Sequence, residues 1–237
     1  MGSLSSVVTR KRPDGTRSVR SYIRRQGRIT RAQARAREQY WSEFGIELRS
    51  ARLDVTQLFC RTAPLVVEIG FGMGRCLLEL AERHPECNFI GIDVYRAGVG
   101  ALLDGVHRKG LDNVRVFEAD AIDVLEHGFR PATVAKLLVY FPDPWPKKRH
   151  HKRRLVKRSF LDLAASRLEP RGQLLIATDW APYAVEMLDV LKAHPLFANA
   201  GGADGFAARP AQRPLTRFEE RGIRLGHAVY DLVFERQ

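Results

Sequence analysis

From Pro64 to the end, short apolar runs alternate with stretches of helical periodicity, and this alternation constrains the fold more than any other feature. Leu65–Ile69, Asn88–Val94, Val114–Glu118, Val134–Phe141, Gln173–Thr178 and Gly226–Glu235 read as strands. Arg75–Arg83, Arg96–Lys109, Ala121–Glu126, Arg153–Leu168 and Ala181–Ala193 read as the helices between them. Val134–Phe141 is rich in apolar residues, as a strand buried on both faces must be. Strands and helices in this order build a doubly wound, mostly parallel α/β sheet with right-handed connections. Such a sheet binds ligands outside the carboxyl ends of its strands. The residues that close the strands are therefore the candidate site.

The first strand closes on Glu68-Ile69-Gly70-Phe71-Gly72-Met73-Gly74, and a helix follows. Glycines let a backbone turn tightly and approach a ligand closely. The dinucleotide fingerprint spaces them as GxGxxG, whereas Gly70, Gly72 and Gly74 alternate directly after an acid. A carboxylate there repels a pyrophosphate but accepts hydrogen bonds from an ammonium group. The pattern points away from NAD and toward S-adenosylmethionine, which carries an amino-acid end and no phosphate; the same glycines would also serve a plain turn. Asp93 ends the second strand, where a carboxylate can take both hydroxyls of a ribose. Asp120 follows the third, within reach of an adenine edge. Either acid alone could cap a helix, but acids at the ends of three successive strands are hard to obtain by accident.

The fourth strand runs into Tyr140-Phe141-Pro142-Asp143-Pro144-Trp145-Pro146. Prolines on both sides of Asp143 fix the backbone, so its carboxylate sits on a stiff loop. Trp145 offers a flat face, either for a base or for the loop's own packing. Lys147, Lys148, Arg149, His150, His151, Lys152, Arg153 and Arg154 follow without a break. Such a run is commonly a solvated patch; beside a site edge it suits phosphate. The fifth strand closes on Thr178-Asp179-Trp180, which brings Asp179 near Asp143. Thr216, Arg217, Phe218 and Glu219 lie before the last strand, where Thr216 and Glu219 form either a capping box or hydrogen bonds to a ligand.

Charge selects the partner class. The chain carries +12 at neutral pH and a pI near 10.1, which favours nucleic acid or an anionic membrane surface. Residues 1–61 hold 14 Lys/Arg against 5 Asp/Glu. They form a basic arm, disordered to about Thr16, with a helix from an N-cap at Thr30, ahead of a domain spanning 62–237. No apolar run approaches the roughly 18 residues that span a bilayer, and no signal peptide is visible, so a cytoplasmic protein is expected. Cys60, Cys76 and Cys87 lack CxxC spacing, so neither a disulfide framework nor a metal site is expected. No long apolar helix face asks for a second copy, which favours a monomer.

RSYIRRQGRIT, VVEIGFGMG, FPDPWPKKRHHKRR, TDW and TRFEERG, in this order and spacing from about Val19 to the end, resemble the bacterial tRNA (guanine-N(7)-)-methyltransferases that modify guanine 46. The resemblance implies a Rossmann-like class I methyltransferase fold, a seven-stranded sheet with an antiparallel last strand. It implies S-adenosylmethionine at Glu68, Gly70, Gly72, Gly74, Asp93, Asp120 and Asp143, with Asp143 also catalytic. It implies tRNA as partner, substrate contact through Lys147, Asp179, Thr216, Arg217, Phe218 and Glu219, and RNA contact through Arg149, His150, His151, Lys152, Arg153 and Arg154. The family more often has Glu where this chain has Asp93, which puts the ribose geometry in question. N(7) of guanine has an in-plane lone pair and no proton to lose, so Asp143 would orient the base rather than act as a general base. Methylation of an exocyclic amine is the alternative chemistry, but the pattern for it has two adjacent prolines after the acid, which are not present. A decayed, non-catalytic RNA-binding module is the alternative class, which the intact acid set opposes.

Overall fold

The computed structural model describes residues 29–49, 51–202, 205–215, 219, 220, 222, 226 and 228–237. Its centre is one sheet of eight strands: β1 (Gly45–Ile46), β2 (Leu65–Ile69), β3 (Asn88–Asp93), β4 (Val114–Glu118), β5 (Val134–Tyr140), β6 (Leu168–Thr178), β7 (Phe197–Asn199) and β8 (Tyr230–Arg236). They lie in the order β1-β4-β3-β2-β5-β6-β8-β7. All pairs are parallel from β1 to β6, and β8 runs antiparallel to both neighbours. The antiparallel last strand is as expected, but eight strands replace the expected seven. Six of the eight are the strands read from the sequence; the other two, β1 and β7, have only 2 and 3 residues, too few for a run to stand out in sequence.

The helices are α1 (Arg31–Phe44), α2 (Val55–Phe59), α3 (Arg75–Arg83), α4 (Arg96–Lys109), α5 (Ala121–His127), α6 (Arg158–Arg167) and α7 (Ala181–Lys192). Strand residues alternate between two cores, as the pleat requires. Leu65, Val67 and Ile69 of β2 join the cluster formed with α5, α6 and α7, whereas Val66 joins the cluster of α3 and α4. Glu68 shares the face of Val66, so it points beneath α3 and α4. The strand order reverses between β2 and β5, and this switch point opens a crevice past their carboxyl ends.

Thr30 caps α1 as its sequence predicts. Its hydroxyl accepts from the Gln33 N–H at 3.2 Å, and its own N–H donates to the Gln33 side chain at 2.9 Å. The division expected at residue 61 falls between α2 and β2. Upstream of it, α1 is seated on α4: Tyr40 stacks on His107 at 4.1 Å, and a Cβ at Gly100 would lie 2.2 Å from the Gln33 carbonyl oxygen. These contacts make α1 parallel to α4, so Ile29 lies at the edge where the strands end. Arg37 and Arg96 both pair with Glu118 at the end of β4, which ties the helix to the sheet.

The helix expected over Arg153–Leu168 is a correction. A 3-10 turn takes Lys148–Arg153, and α6 starts only at Arg158. The residues between are extended because Val156 must reach the core, where its N–H donates to the Tyr183 hydroxyl at 3.1 Å.

Candidate active site

Gly70, Gly72 and Gly74 all have positive φ, at 74°, 59° and 76°. Only glycine takes this conformation without penalty, which explains the alternating motif. A Cβ at Gly70 or Gly72 would meet nothing within 4 Å, so the loop borders open space. The loop is pinned from behind. Asp93 Oδ2 accepts from the Gly72 N–H at 2.8 Å, and its Oδ1 accepts from the Tyr95 N–H at 2.9 Å. Gly98 completes the backing, since a Cβ there would lie 1.8 Å from the Gly72 carbonyl oxygen. Glycine inside a helical stretch was the available signal for this close approach. Asp120 caps α5, accepting from the Ile122 N–H at 2.8 Å. Both alternatives left by the sequence for these acids, cap and ligand acceptor, remain compatible, because each carboxylate oxygen accepts more than one hydrogen bond.

Glu68 is 3% exposed, and among the described residues its Oε2 has no hydrogen-bond partner. Burial pushes its carboxyl up to about 8; the Cys76 thiol opposes this by hydrogen bonding, and the Asp93 charge adds to it. A buried acceptor without a donor is costly, and a cationic donor beside the glycine loop removes that cost. The residues present therefore fit the amino-acid end of S-adenosylmethionine: Glu68 for the ammonium group, the glycine loop for close approach, and Asp93 for hydroxyls. A pH dependence follows. A raised carboxyl stabilises the fold below the ordinary carboxylate range and loses that contribution as pH rises through about 8. An ammonium partner needs the ionised form, so binding near pH 7 should expel a proton. Calorimetry of S-adenosylmethionine binding in buffers of different ionisation enthalpy should show release of about one proton. Glu68→Gln should abolish the release, and equal heats in all buffers for the wild-type would contradict the assignment.

Across the crevice, the loop after β5 is stiffer than its prolines alone require. Phe141 and Trp145 have φ of 52° and 46°. Left-handed backbone at such residues costs on the order of 1–3 kcal/mol each and persists only under external constraint. The Phe141 N–H donates to the Ala177 carbonyl of β6 at 2.7 Å. Trp145 is 7% exposed, with His150 edge-on at 5.7 Å and the Arg153 guanidinium over its ring at 4.9 Å. The Trp145 ring thus takes the packing role of the two the sequence allowed. Asp143 is left exposed at the crest, close enough for its charge to act on Asp93.

The basic run divides. Lys147, Lys148, Arg149 and Lys152 are exposed, and His150, His151 and Arg153 are half-buried. Arg154 is a correction, because it is 3% exposed and faces inward. Its Nε donates to the Pro144 carbonyl at 2.8 Å, its Nη1 pairs with Glu186 of α7, and its guanidinium lies 4.7 Å from the Tyr183 ring centre. It holds the loop that carries Asp143 and has no route to phosphate.

Asp179 and Trp180 emerge exposed from β6, next to β5 in the sheet. Thr216, Arg217 and Phe218 lie outside the described residues. Glu219 is a second correction, because it is 1% exposed and committed to a buried network. Its oxygens take Arg213 Nη1 and Nη2 at 2.6 and 2.7 Å, and Arg209 Nε at 3.0 Å. Arg213 also meets Asp231 of β8 at 2.9 and 3.0 Å and lies over Tyr140 and Phe141 at 5.7 and 5.8 Å. Sequence reading found neither Arg213, Asp231 nor Glu186, because no local pattern marks a charge whose partner is remote. Among the described residues no His, Cys, Asp and Glu cluster could hold a metal ion, and no helix is long and apolar enough to cross a membrane.

The model of the family described as "Putative methyltransferase" matches residues 62–232. A tRNA (guanine-N(7)-)-methyltransferase of Pseudomonas aeruginosa is 50% identical over 220 residues, covering 93% of this chain and 90% of that one. One of Leifsonia xyli is 50% identical over 215 residues, covering 91% and 94%. Among solved structures, the 16S rRNA methyltransferase KamB superposes with a TM-score of 0.54 at 16% identity, over 82% of this chain and 99% of that one. The aminoglycoside resistance methyltransferase NpmB1 gives 0.53 at 18%, over 80% and 95%. At such identities the solved structures speak for the class I methyltransferase fold alone.

Proposed function

Because the chain belongs to the tRNA (guanine-N(7)-)-methyltransferase family, we propose that it methylates N(7) of guanine 46 in the variable loop of tRNA. S-adenosylmethionine, when bound, supplies a sulfonium methyl. The observation that carries the reading is the pairing across one crevice. On one side is a buried carboxylate with an unsatisfied oxygen under a glycine loop, and on the other an exposed Asp143 on a strained, clamped loop.

The chain's residues divide the work. Glu68 and the glycine loop bind the amino-acid end, and Asp93 and Asp120 lie where ribose and adenine would be read. Asp143 accepts from the guanine edge and places N(7) in line with the transferring methyl. It needs to take no proton, since N(7) carries none; its charge favours the positive charge that builds on the purine. Lys147 and Asp179 flank the base, with Thr216, Arg217 and Phe218 from the segment before β8. Glu219 acts in this reading by anchoring that segment. His150 and Arg153, packed on Trp145, support the phosphate-facing cations, and His151 stays with the RNA-facing run.

Two measurements test this. Labelled methyl transferred to unmodified tRNA should map to one guanine whose strand breaks after borohydride and aniline, the lability of N(7)-methylguanine; a label stable to that treatment would move the chemistry to an exocyclic amine. Changing Lys147, Lys148, Arg149 and Lys152 together to Ala should weaken tRNA binding and flatten its salt dependence. The slope should fall by roughly 0.7–0.9 for each phosphate that the variant no longer neutralises. An unchanged slope would show that these cations do not meet phosphate.

The described part of the basic arm starts at Ile29 on the carboxyl edge, the same edge as the basic run in this reading. A cytoplasmic monomer is the fitting form. Among the described residues the large exposed apolar side chains are few: Met73 and Trp180 lie at the carboxyl ends of the strands, and Leu48, Val185, Leu196 and Leu215 are the others.

A further inference from the structure

We propose that Trp180 is the stacking platform for the purine presented to Asp143, or for its direct neighbour in the tRNA strand. The inference rests on the reading of the chain as a base methyltransferase and adds a residue to its substrate site.

Of the two indoles near the crevice, Trp145 is excluded, because its faces are taken by Arg153 and His150 and it is buried. Trp180 is 38% exposed, and among the described residues its ring has no aromatic, cationic or hydrogen-bonding partner. Its backbone is held, with its N–H donating to the Thr178 hydroxyl at 3.2 Å, and it caps α7. A large apolar side chain thus keeps 38% of its surface in water on a fixed backbone stem.

Position decides what the ring meets. Tyr140 of β5 is in register with Ala177 of β6, and the Phe141 N–H reaches the Ala177 carbonyl. Asp143 and Trp180 therefore leave adjacent strands, each three residues past the same rung. Asp93 and Asp120, which suit a cofactor's ribose and adenine, lie on the other side of β2. A ring that stacks on Trp180 is for that reason a substrate base and not the cofactor's adenine. Met73 of the glycine loop is an exposed apolar side chain at the same edge, and Lys147, Lys148 and Arg149 supply cations for the flanking phosphates. An aromatic face beside cations is the arrangement that holds an unstacked base.

The test uses the full chain with Trp180→Phe, Trp180→Leu and Trp180→Ala. Base stacking on an aromatic is worth about 1–3 kcal/mol, so kcat/KM for tRNA should fall about 5- to 150-fold in the Leu and Ala variants, at 1.4 kcal/mol per tenfold. Phe should restore most of it, and affinity for S-adenosylmethionine should stay within about twofold. Quenching of tryptophan emission by tRNA should weaken in Trp180→Phe, which leaves Trp41 and Trp145 as emitters. Leu and Ala variants within twofold of wild-type would overturn the proposal, as would a loss shared equally by S-adenosylmethionine binding, which a structural role would produce. Failure of the underlying reading is a different result, namely wild-type protein that transfers no methyl to a guanine of tRNA.

Discussion

Asp143→Ala should lower the single-turnover rate of methyl transfer by roughly 10²–10³-fold with tRNA and S-adenosylmethionine saturating. That is the range for removing one preorganised group aimed at developing charge. The structure gives the residue its leverage. Its carboxylate is exposed, but the loop beneath it is held by two left-handed residues, by the Phe141–Ala177 hydrogen bond and by Arg154 on the Pro144 carbonyl. Such a group is already placed before the base arrives, so little ordering is left to the transition state. Asp143→Asn should recover part of the loss, because it keeps one acceptor without the charge. The rate–pH profile should show no limb assignable to a base at this position. A loss of only a few-fold for Asp143→Ala would remove it from the centre of the mechanism.

Arg213→Ala should cost about 3–5 kcal/mol of stability, the range for breaking a buried ion network by removing one partner. Arg213 is fully buried between Glu219, Asp231 and the rings of Tyr140 and Phe141. Its removal takes the guanidinium from Asp231 and the forked pair from Glu219, which keeps Arg209, and burial already raises the Asp231 carboxyl above its usual range. At about 2–4 °C per kcal/mol for a chain of this size, the thermal midpoint should fall by roughly 10 °C. Arg213→Lys should recover only part of this, since one ammonium cannot fork across both acids. A midpoint within a degree or two of wild-type would show that the network does not hold the segment before β8.

Much of the site was legible because its causes are local. Three alternating glycines after an acid permit a tight turn that other residues resist, and all three take left-handed backbone. Pro142 and Pro144 stiffen their own bonds whatever surrounds them. Thr30 and Gln33 are three residues apart and cap their helix within one turn. The parts that were misread depend on partners far along the chain. Arg154 belongs to a run of cations by sequence, but Glu186, 32 residues away, and the Pro144 carbonyl turn it inward. Glu219 stands in a stretch that reads as substrate-binding, yet Arg213 and Arg209, outside its own helical turn, bury it in an ion network. The strands β1 and β7 exist only through the neighbours that pair with them.

The amino-acid sequence by itself determined the doubly wound sheet, the acids that close its strands, the glycine loop and the stiff perch of Asp143. Periodicity, φ preference and proline geometry act over a few residues and do not wait for the rest of the chain. Only the tertiary structure decided which cations meet solvent, which tryptophan is free to stack and which carboxylates are anchors. A charge or a ring is committed by whatever packs against it, and desolvation makes that commitment strong only once the fold has brought distant segments together.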